Sequence, residues 1–499
     1  MNPGVDILFF QQHARIYMGV LALNSHLETE GFKADVLIEE MEPDPLRIIR
    51  ERKPKTIGFS VLSLEHNWLI KTSRKIHQLF PEIPIIVGGV HAMIYPDKIL
   101  ADTPACVVCN SDGEAVLPDI LRNLGSPAPS WETMKGIAYK GEDGRICVNE
   151  PADLFQYQEG RVEDRQLYYN RYPSLAQDVV HFFCSSRGCP YKCSFCYNSY
   201  LRYCFKGKGR FIRQKSVDVF IREIELHSSK HPVQLIYFAD DLFIYDLKWL
   251  QEFLLEYKER IGIPFSCNVR ANLVKDESIV KMLADAGCTI ANFGVETGNE
   301  TIRTRILGKR ITDQEIIRCG TLLSDQGIAV KTSNMFCLPG ETREDALKTV
   351  ELNIKAKTRF AGSSLFVPFP KTGIADYCIK HGYISGNYDL NDLPETSFTM
   401  GLIDGPDKQV IVNIHYLFYL FVRFPRIYTL MGRFVTVERL SPVFHLVFLL
   451  SHVVRYREEN KAGWWETFRY AWRSKKQYYT GSAHFLTKLF QTKQHGESR

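Results

Sequence analysis

Short apolar runs alternate with amphipathic stretches over the first 125 residues. The apolar runs at 5–10, 34–38, 56–62, 83–88 and 105–109 have strand length, and 18–30 and 68–80 between them carry the helical period. Strands spaced by helices of this length predict a doubly wound parallel sheet. Such sheets bind ligands beyond the carboxyl ends of their strands. Those ends fall here at 11–13, 60–63, 88–89 and 110–114. Residues 126–178 are less regular. The pieces 136–140 and 145–149 flank a glycine-bounded turn and predict a hairpin, and the polar, tyrosine-rich stretch 156–175 reads as a linker.

From 179 to 385 the strand-then-helix rhythm returns, with strands expected at 179–184, 235–239, 264–269, 289–294, 329–337 and 363–368. Six βα units in succession predict an open or partial parallel barrel, whose chemistry sits at the carboxyl ends of its strands. From 386 to 499 the pattern changes to a helical cap. Stretches 409–422 and 440–454 are strongly apolar helices, with Pro425 between them and Pro442 near the start of the second. The tail from Arg455 has ten Lys or Arg against four Glu, interleaved with Trp464, Trp465, Tyr470, Trp472, Tyr478 and Tyr479.

Composition adds less. A hydrophobic share of 45% is that of a globular chain, and a net charge of +5 over 499 residues gives no argument for nucleic acid. No leader pattern opens the chain, and no apolar run reaches the roughly 18 residues of a membrane span. Thirteen cysteines in such a chain point to a reducing, cytoplasmic setting, where clustered cysteines serve metals or catalysis more often than disulfides.

Three of them stand apart. Cys189, Cys193 and Cys196 follow the first strand of the second rhythm on one short loop. Three thiolates there can ligate three irons of a cubane cluster and leave the fourth iron open, as in a catalytic metal site. The amine and carboxylate of S-adenosylmethionine are suited to that open position. Two other readings stay open on spacing alone: a zinc site, and an electron-transfer cluster completed by Cys204. Cys106, Cys109, Cys267, Cys288, Cys319 and Cys378 lie in apolar surroundings and read as core.

The loop, with Phe195 before its last cysteine and Tyr197 after it, resembles the radical S-adenosylmethionine superfamily, in the branch carrying an N-terminal cobalamin domain. The likeness continues through Tyr237–Phe243, Asn268 to Leu273, Gly294 to Gly298 with Ile306 and Lys309, Cys337 to Thr342, and Val367 to Thr372. It implies a [4Fe–4S] cluster on Cys189, Cys193 and Cys196. It further implies contacts to S-adenosylmethionine from Phe195, Tyr197, Asp240, Asp241, Arg270, Glu296 and Gly340. A carboxylate at a strand end also serves as a helix cap, and an arginine there as a structural ion-pair partner. Residues 1–125 are then a cobalamin domain, with Ser60, Gly88, Gly89, Gly113 and Glu114 lining the cofactor. The Asp-x-His-x-x-Gly motif of histidine-ligated cobalamin is missing: His13 is roughly in place but has no acidic partner in that motif. The expectation is a cobalt without a histidine on its lower face.

The expected activity is C-methylation of an unactivated carbon on an apolar small molecule or lipid. The alternatives are a radical cyclase or oxidoreductase and, in a different class, a non-catalytic redox or light sensor. The expected partner is a flavodoxin- or ferredoxin-type electron donor. The aromatic and basic C-terminal region suggests peripheral membrane contact. RNA binders also mix these residue types, but no nucleic-acid-binding motif accompanies them.

Overall fold

Strands apolar on both faces belong to sheets covered by helices on both sides. In the computed structural model, which describes residues 4–126, 130–157, 161–394, 396–398 and 401–473, the first five runs become β1 (Ile7–Gln11), β2 (Ala34–Ile38), β3 (Ile57–Ser60), β4 (Ile85–Gly88) and β5 (Val107–Cys109). They pair in parallel in the order β2-β1-β3-β4-β5, a common doubly wound order. Ile7, Phe9, Val36 and Ile38 feed one core, shared with α1 (Met18–Thr29) and α2 (Gly113–Leu124). Leu8, Phe10, Leu37 and Phe59 feed the core on the other face. The predicted hairpin forms as β6 (Ile137–Lys140) and β7 (Ile146–Val148), and it extends the sheet antiparallel beyond β5.

The chain divides into two compact units, Met1–Tyr191 with Cys196–Ile263, and Lys192–Phe195 with Pro264–Arg499. The first unit also contains β8 (Val180–Phe183), β9 (Ser186–Arg187), β10 (Arg213–Gln214) and β11 (Leu235–Phe238). β8 and β11 run parallel, and β9 and β10 form a short antiparallel ribbon that no sequence pattern announces. The division cuts through the expected barrel because this stretch is tied to the doubly wound sheet. Arg187 pairs with Glu114, Arg213 with Asp112, and Tyr168 donates to Gln11 at 2.7 Å. Helix α3 (Tyr197–Cys204) follows the cysteine loop.

In the second unit β12 (Phe265–Asn268), β13 (Cys288–Glu296), β14 (Ala329–Phe336) and β15 (Thr358–Leu365) lie parallel in chain order. The last strand begins five residues before the expected 363–368. Its first residues are mixed in polarity, and the apolar-proline run that drew the expectation lies mostly after the strand. Four helices matter below: α4 (Arg343–Lys355), α5 (Lys408–Arg423), α7 (Ser441–Asn460) and, between the last two, α6 (Pro425–Met431); α8 (Trp464–Arg473) ends the described chain. Ile411, Ile414, Leu417, Phe418 and Phe421 of α5 are buried in one core with Phe336 of β14, Leu365 of β15 and Val350 of α4. Tyr478 and Tyr479 lie outside the described residues. Among those described, no single helix is long and apolar enough to cross a membrane.

Candidate cofactor site

The cysteine loop leaves β8 through Ser185 and Ser186, and both are held by one carboxylate. Asp240, fully buried just past β11, accepts from the Ser185 hydroxyl at 2.7 Å, from the Ser185 backbone N–H at 3.2 Å and from the Ser186 hydroxyl. Burial pushes its carboxyl above the usual range, while these donors pull it down. Asp240, expected to contact the cofactor, holds the stem of the loop in this structure. Its neighbour Asp241 is exposed and accepts from Asn198 at 3.0 Å, and the same amide nitrogen lies 3.8 Å from Cys196 Sγ. The Tyr197 hydroxyl meets that of Tyr95 at 3.0 Å with the rings edge to face, and it also hydrogen-bonds with Ser63.

The middle of the loop, Lys192–Phe195, is anchored differently. The Ser194 N–H donates to Leu307 O at 2.9 Å, its hydroxyl donates to Ile306 O at 2.7 Å, and its carbonyl accepts from Ile374 at 3.1 Å. The segment it grips is fixed by Arg303, which is fully buried. That guanidinium donates to Ile311 O at 2.8 Å and Thr297 O at 2.6 Å and pairs with Asp313. Arg303 was not foreseen, because an arginine four residues into a helical stretch reads as surface. Phe195 packs with Ile302, Leu307, Leu338 and Phe366. Arg270, at the end of β12, brings a guanidinium nitrogen to 3.9 Å from Cys193 Sγ. That places positive charge beside a sulfur of the loop.

At the end of β13, Glu296 takes φ +67°, unusual for a residue with a side chain. It pairs with Lys309 at 2.6 Å, both buried. The pair lies across Gly294, where a Cβ would stand 2.0 Å from the Glu296 carboxylate and 2.3 Å from Lys309 Nζ. Gly298 is needed for another reason: a Cβ there would meet the backbone of Lys348 in α4 at 2.3 Å. After β14, Cys337 and Gly340 both have positive φ, +60° and +74°. Glu341 closes that turn by accepting the Leu338 N–H at 3.1 Å. Its other carboxylate oxygen is out of water with no hydrogen-bond partner, and burial pushes the group up to about 8.

The mouth of the doubly wound sheet carries a second set. Ser60 and Gly88 sit opposite each other in β3 and β4. Gly89 has φ +89°, and a Cβ there would lie 2.7 Å from Val61 N; at Gly113 it would lie 2.5 Å from the Leu23 side chain. At Gly89 the constraint comes from backbone, and at Gly113 from the end of a side chain that can move. At Gly88 a Cβ would meet only ordinary contacts, 3.7 Å from Cys109 Cβ. Glu114 is buried and engaged by Arg187. His13 corrects an expectation: its acidic partner exists, but 27 residues away, with Nδ1 3.1 Å from Glu40. The Glu65 carboxylate stands 3.7 Å from its other nitrogen. Behind Gly89 runs a chain that sequence spacing does not reveal: Asp102 to His66 at 3.2 Å, His66 to His91 at 3.0 Å, and His91 to Ser63 at 3.2 Å. The first unit also holds a cavity of about 360 Å³ bordered by Glu114, Tyr157, Arg161, Lys215 and Trp249.

Residues 183–352 match the family model of the radical SAM superfamily, and residues 16–121 match that of the B12 binding domain. The uncharacterized methyltransferase PH0819 of Pyrococcus horikoshii is 25% identical over 359 residues, 70% of this chain and 75% of that protein. The anaerobic magnesium-protoporphyrin IX monomethyl ester cyclase of Rubrivivax gelatinosus is 23% identical over 70% of this chain and 64% of its own length. Among solved structures, the cobalamin-dependent S-adenosylmethionine radical enzyme OxsB, with aqua-cobalamin and S-adenosylmethionine bound, superposes with a TM-score of 0.66 at 17% identity. It covers 90% of this chain and 73% of that one.

Proposed function

This chain belongs to the radical SAM superfamily and carries a B12-binding domain, and from that premise we propose that it C-methylates an unactivated carbon of an apolar small molecule or lipid. The observation that carries the reading is the cysteine loop. It offers three thiols within eight residues, gripped at its stem by Asp240 and at its middle through Ser194. That donor set fits a cluster with one open iron.

When bound, the cluster with S-adenosylmethionine supplies a carbon-centred radical, and cobalamin supplies a methyl group. The chain's own residues hold and orient. Cys189, Cys193 and Cys196 bind the cluster, and Arg270 sets positive charge beside Cys193. Glu296, already partnered by Lys309, offers its carboxylate to the ribose or amine of S-adenosylmethionine, with Phe195 and Gly340 in the same unit as further contacts; in the first unit the exposed Asp241 is a further acceptor for the cofactor. We assign Asp240 to positioning the loop, and Tyr197 to packing on Tyr95. In the first unit Ser60, Gly88 and Gly89 border cobalamin, with room for it best supported at Gly88. Gly113 and Glu114 support that border through Leu23 and Arg187. Electrons come from a flavodoxin- or ferredoxin-type donor.

The cyclase among the relatives favours a second reading, in which cobalamin donates no methyl and the outcome is ring closure or oxidation. Anaerobic turnover with methyl-labelled S-adenosylmethionine, followed by mass spectrometry of an apolar extract, separates the two. Label in a product supports methylation; 5′-deoxyadenosine without labelled product supports the second reading.

A further inference from the structure

The two apolar helices of the C-terminal region have unlike surroundings. In α5 nearly every large side chain is buried. In α7 only Phe444, His445 and Phe448 are buried, and they fix one face. The opposite face carries Val443, Leu446, Leu450 and Val454, spaced by three and four residues, and they are 54%, 56%, 59% and 47% exposed. That spacing makes one continuous stripe. Leu430, Met431, Phe434 and Val437, also exposed, follow on α6 and the turn after it. Trp464, Trp465 and Phe468 of α8 are exposed in the same way. Isolated exposed leucines need no explanation, but a run of this extent marks a contact surface.

Charge selects the occupant. Arg426, Arg433 and Arg439 are exposed among these side chains, with Glu438 the single acidic residue between 425 and 454. A second copy docked on this stripe would bring arginines against arginines. The segment 474–499 has five Lys or Arg and one Glu, so it too offers like charge. Exposed aliphatic and tryptophan side chains mixed with arginine suit the interface of an anionic bilayer. The helical segments Pro425–Thr436 and Glu438–Asn460 do not form one rod: the chain bends by 114° between them.

We propose that the outer face of α6, α7 and α8 docks on anionic phospholipid surfaces. The face lies on the second unit, and the proposal is independent of which reaction the enzyme performs. Its C-terminal half is braced from behind, with Arg455 donating to Ala361 O at 2.8 Å and Lys331 paired with Glu459. A change on the outer stripe therefore leaves the packing of α7 in place.

The test is anaerobic flotation of the full chain with vesicles of phosphatidylcholine alone or with one-third phosphatidylglycerol. The expected result is flotation with the anionic vesicles, at least ten-fold weaker with phosphatidylcholine and reduced by added salt. The variant L446E/L450E is expected to lose flotation at least ten-fold while keeping its melting temperature and elution volume. R433E/R439E is expected to lose most of the preference for anionic vesicles. Failure of the full chain to float overturns the proposal. So does flotation that appears only after removal of 474–499, which makes that segment the occupant. A dimer that L446E/L450E dissociates, with no vesicle binding, makes a second copy the occupant and overturns it as well.

Discussion

Asp240, just past β11, and Glu296, at the end of β13, are both buried acids, and both are expected to meet S-adenosylmethionine. Their surroundings differ. Asp240 is met by neutral donors of the cysteine loop's stem, whereas Glu296 is met by one cation, Lys309. An acid satisfied by hydroxyls of a loop shapes that loop. An acid balanced by a single lysine retains accepting capacity toward a bound molecule. Glu341, after β14, is a third case, with a backbone N–H as its donor and an oxygen left unpartnered. Identical chemistry at equivalent places thus performs three tasks, decided by what each carboxylate faces.

The comparison breaks most readily at the charged pair. Lys309→Ala leaves a buried carboxylate unbalanced and is expected to cost about 4 kcal/mol, read by urea unfolding. Glu296→Gln with Lys309→Met recovers most of it; no recovery means the pair is not what Lys309 serves. Asp240→Ala strands two hydroxyls and an N–H, with an expected loss of about 3 kcal/mol. It is also expected to lower the iron bound on reconstitution several-fold. Asp240→Asn retains more iron than Asp240→Ala, and equal loss in both contradicts the positioning role. Gly294→Ala inserts a Cβ between Glu296 and Lys309 and is expected to cost about 2 kcal/mol.

The smallest effect belongs to Glu341. Its folded-state value of about 8 lies above its ordinary 4.5, so the folded state keeps a proton that the unfolded state has released. Stability is therefore greatest below about 4.5 and falls as pH rises toward 8. Glu341→Gln is expected to flatten that fall, gaining on the order of 1 kcal/mol or more at pH 7. Parallel pH profiles for the two proteins contradict the assignment.

The strands of the doubly wound sheet were legible to within two residues, because apolar runs there serve two cores. β15 was not, because the conspicuous apolar-proline run lies mostly beyond the strand. The cysteine triplet could be picked out from its spacing. What holds it in place could not: Ser194 is gripped by carbonyls more than 100 residues away, and Arg303 acts through backbone oxygens that sequence does not display. Glycines were visible but their reasons were not. Gly89 and Gly113 suggested room for a ligand; that a Cβ at these positions would also meet Val61 and Leu23 was not visible. The acidic partner of His13 escaped for the same reason, since Glu40 comes from beyond β2. The apolar content of α5 and α7 was equally plain, but which face of α7 remains uncovered depends on tertiary packing.

The central claim is that Cys189, Cys193 and Cys196 hold a cluster that cleaves S-adenosylmethionine. The direct test is anaerobic reconstitution with iron and sulfide, reduction, addition of S-adenosylmethionine, and quantification of iron, 5′-deoxyadenosine and methionine. The account predicts about four irons per chain, with both products formed by the wild type and neither by Cys193→Ala. A fully loaded, reduced wild type that forms no 5′-deoxyadenosine would contradict it, as would undiminished product from Cys193→Ala.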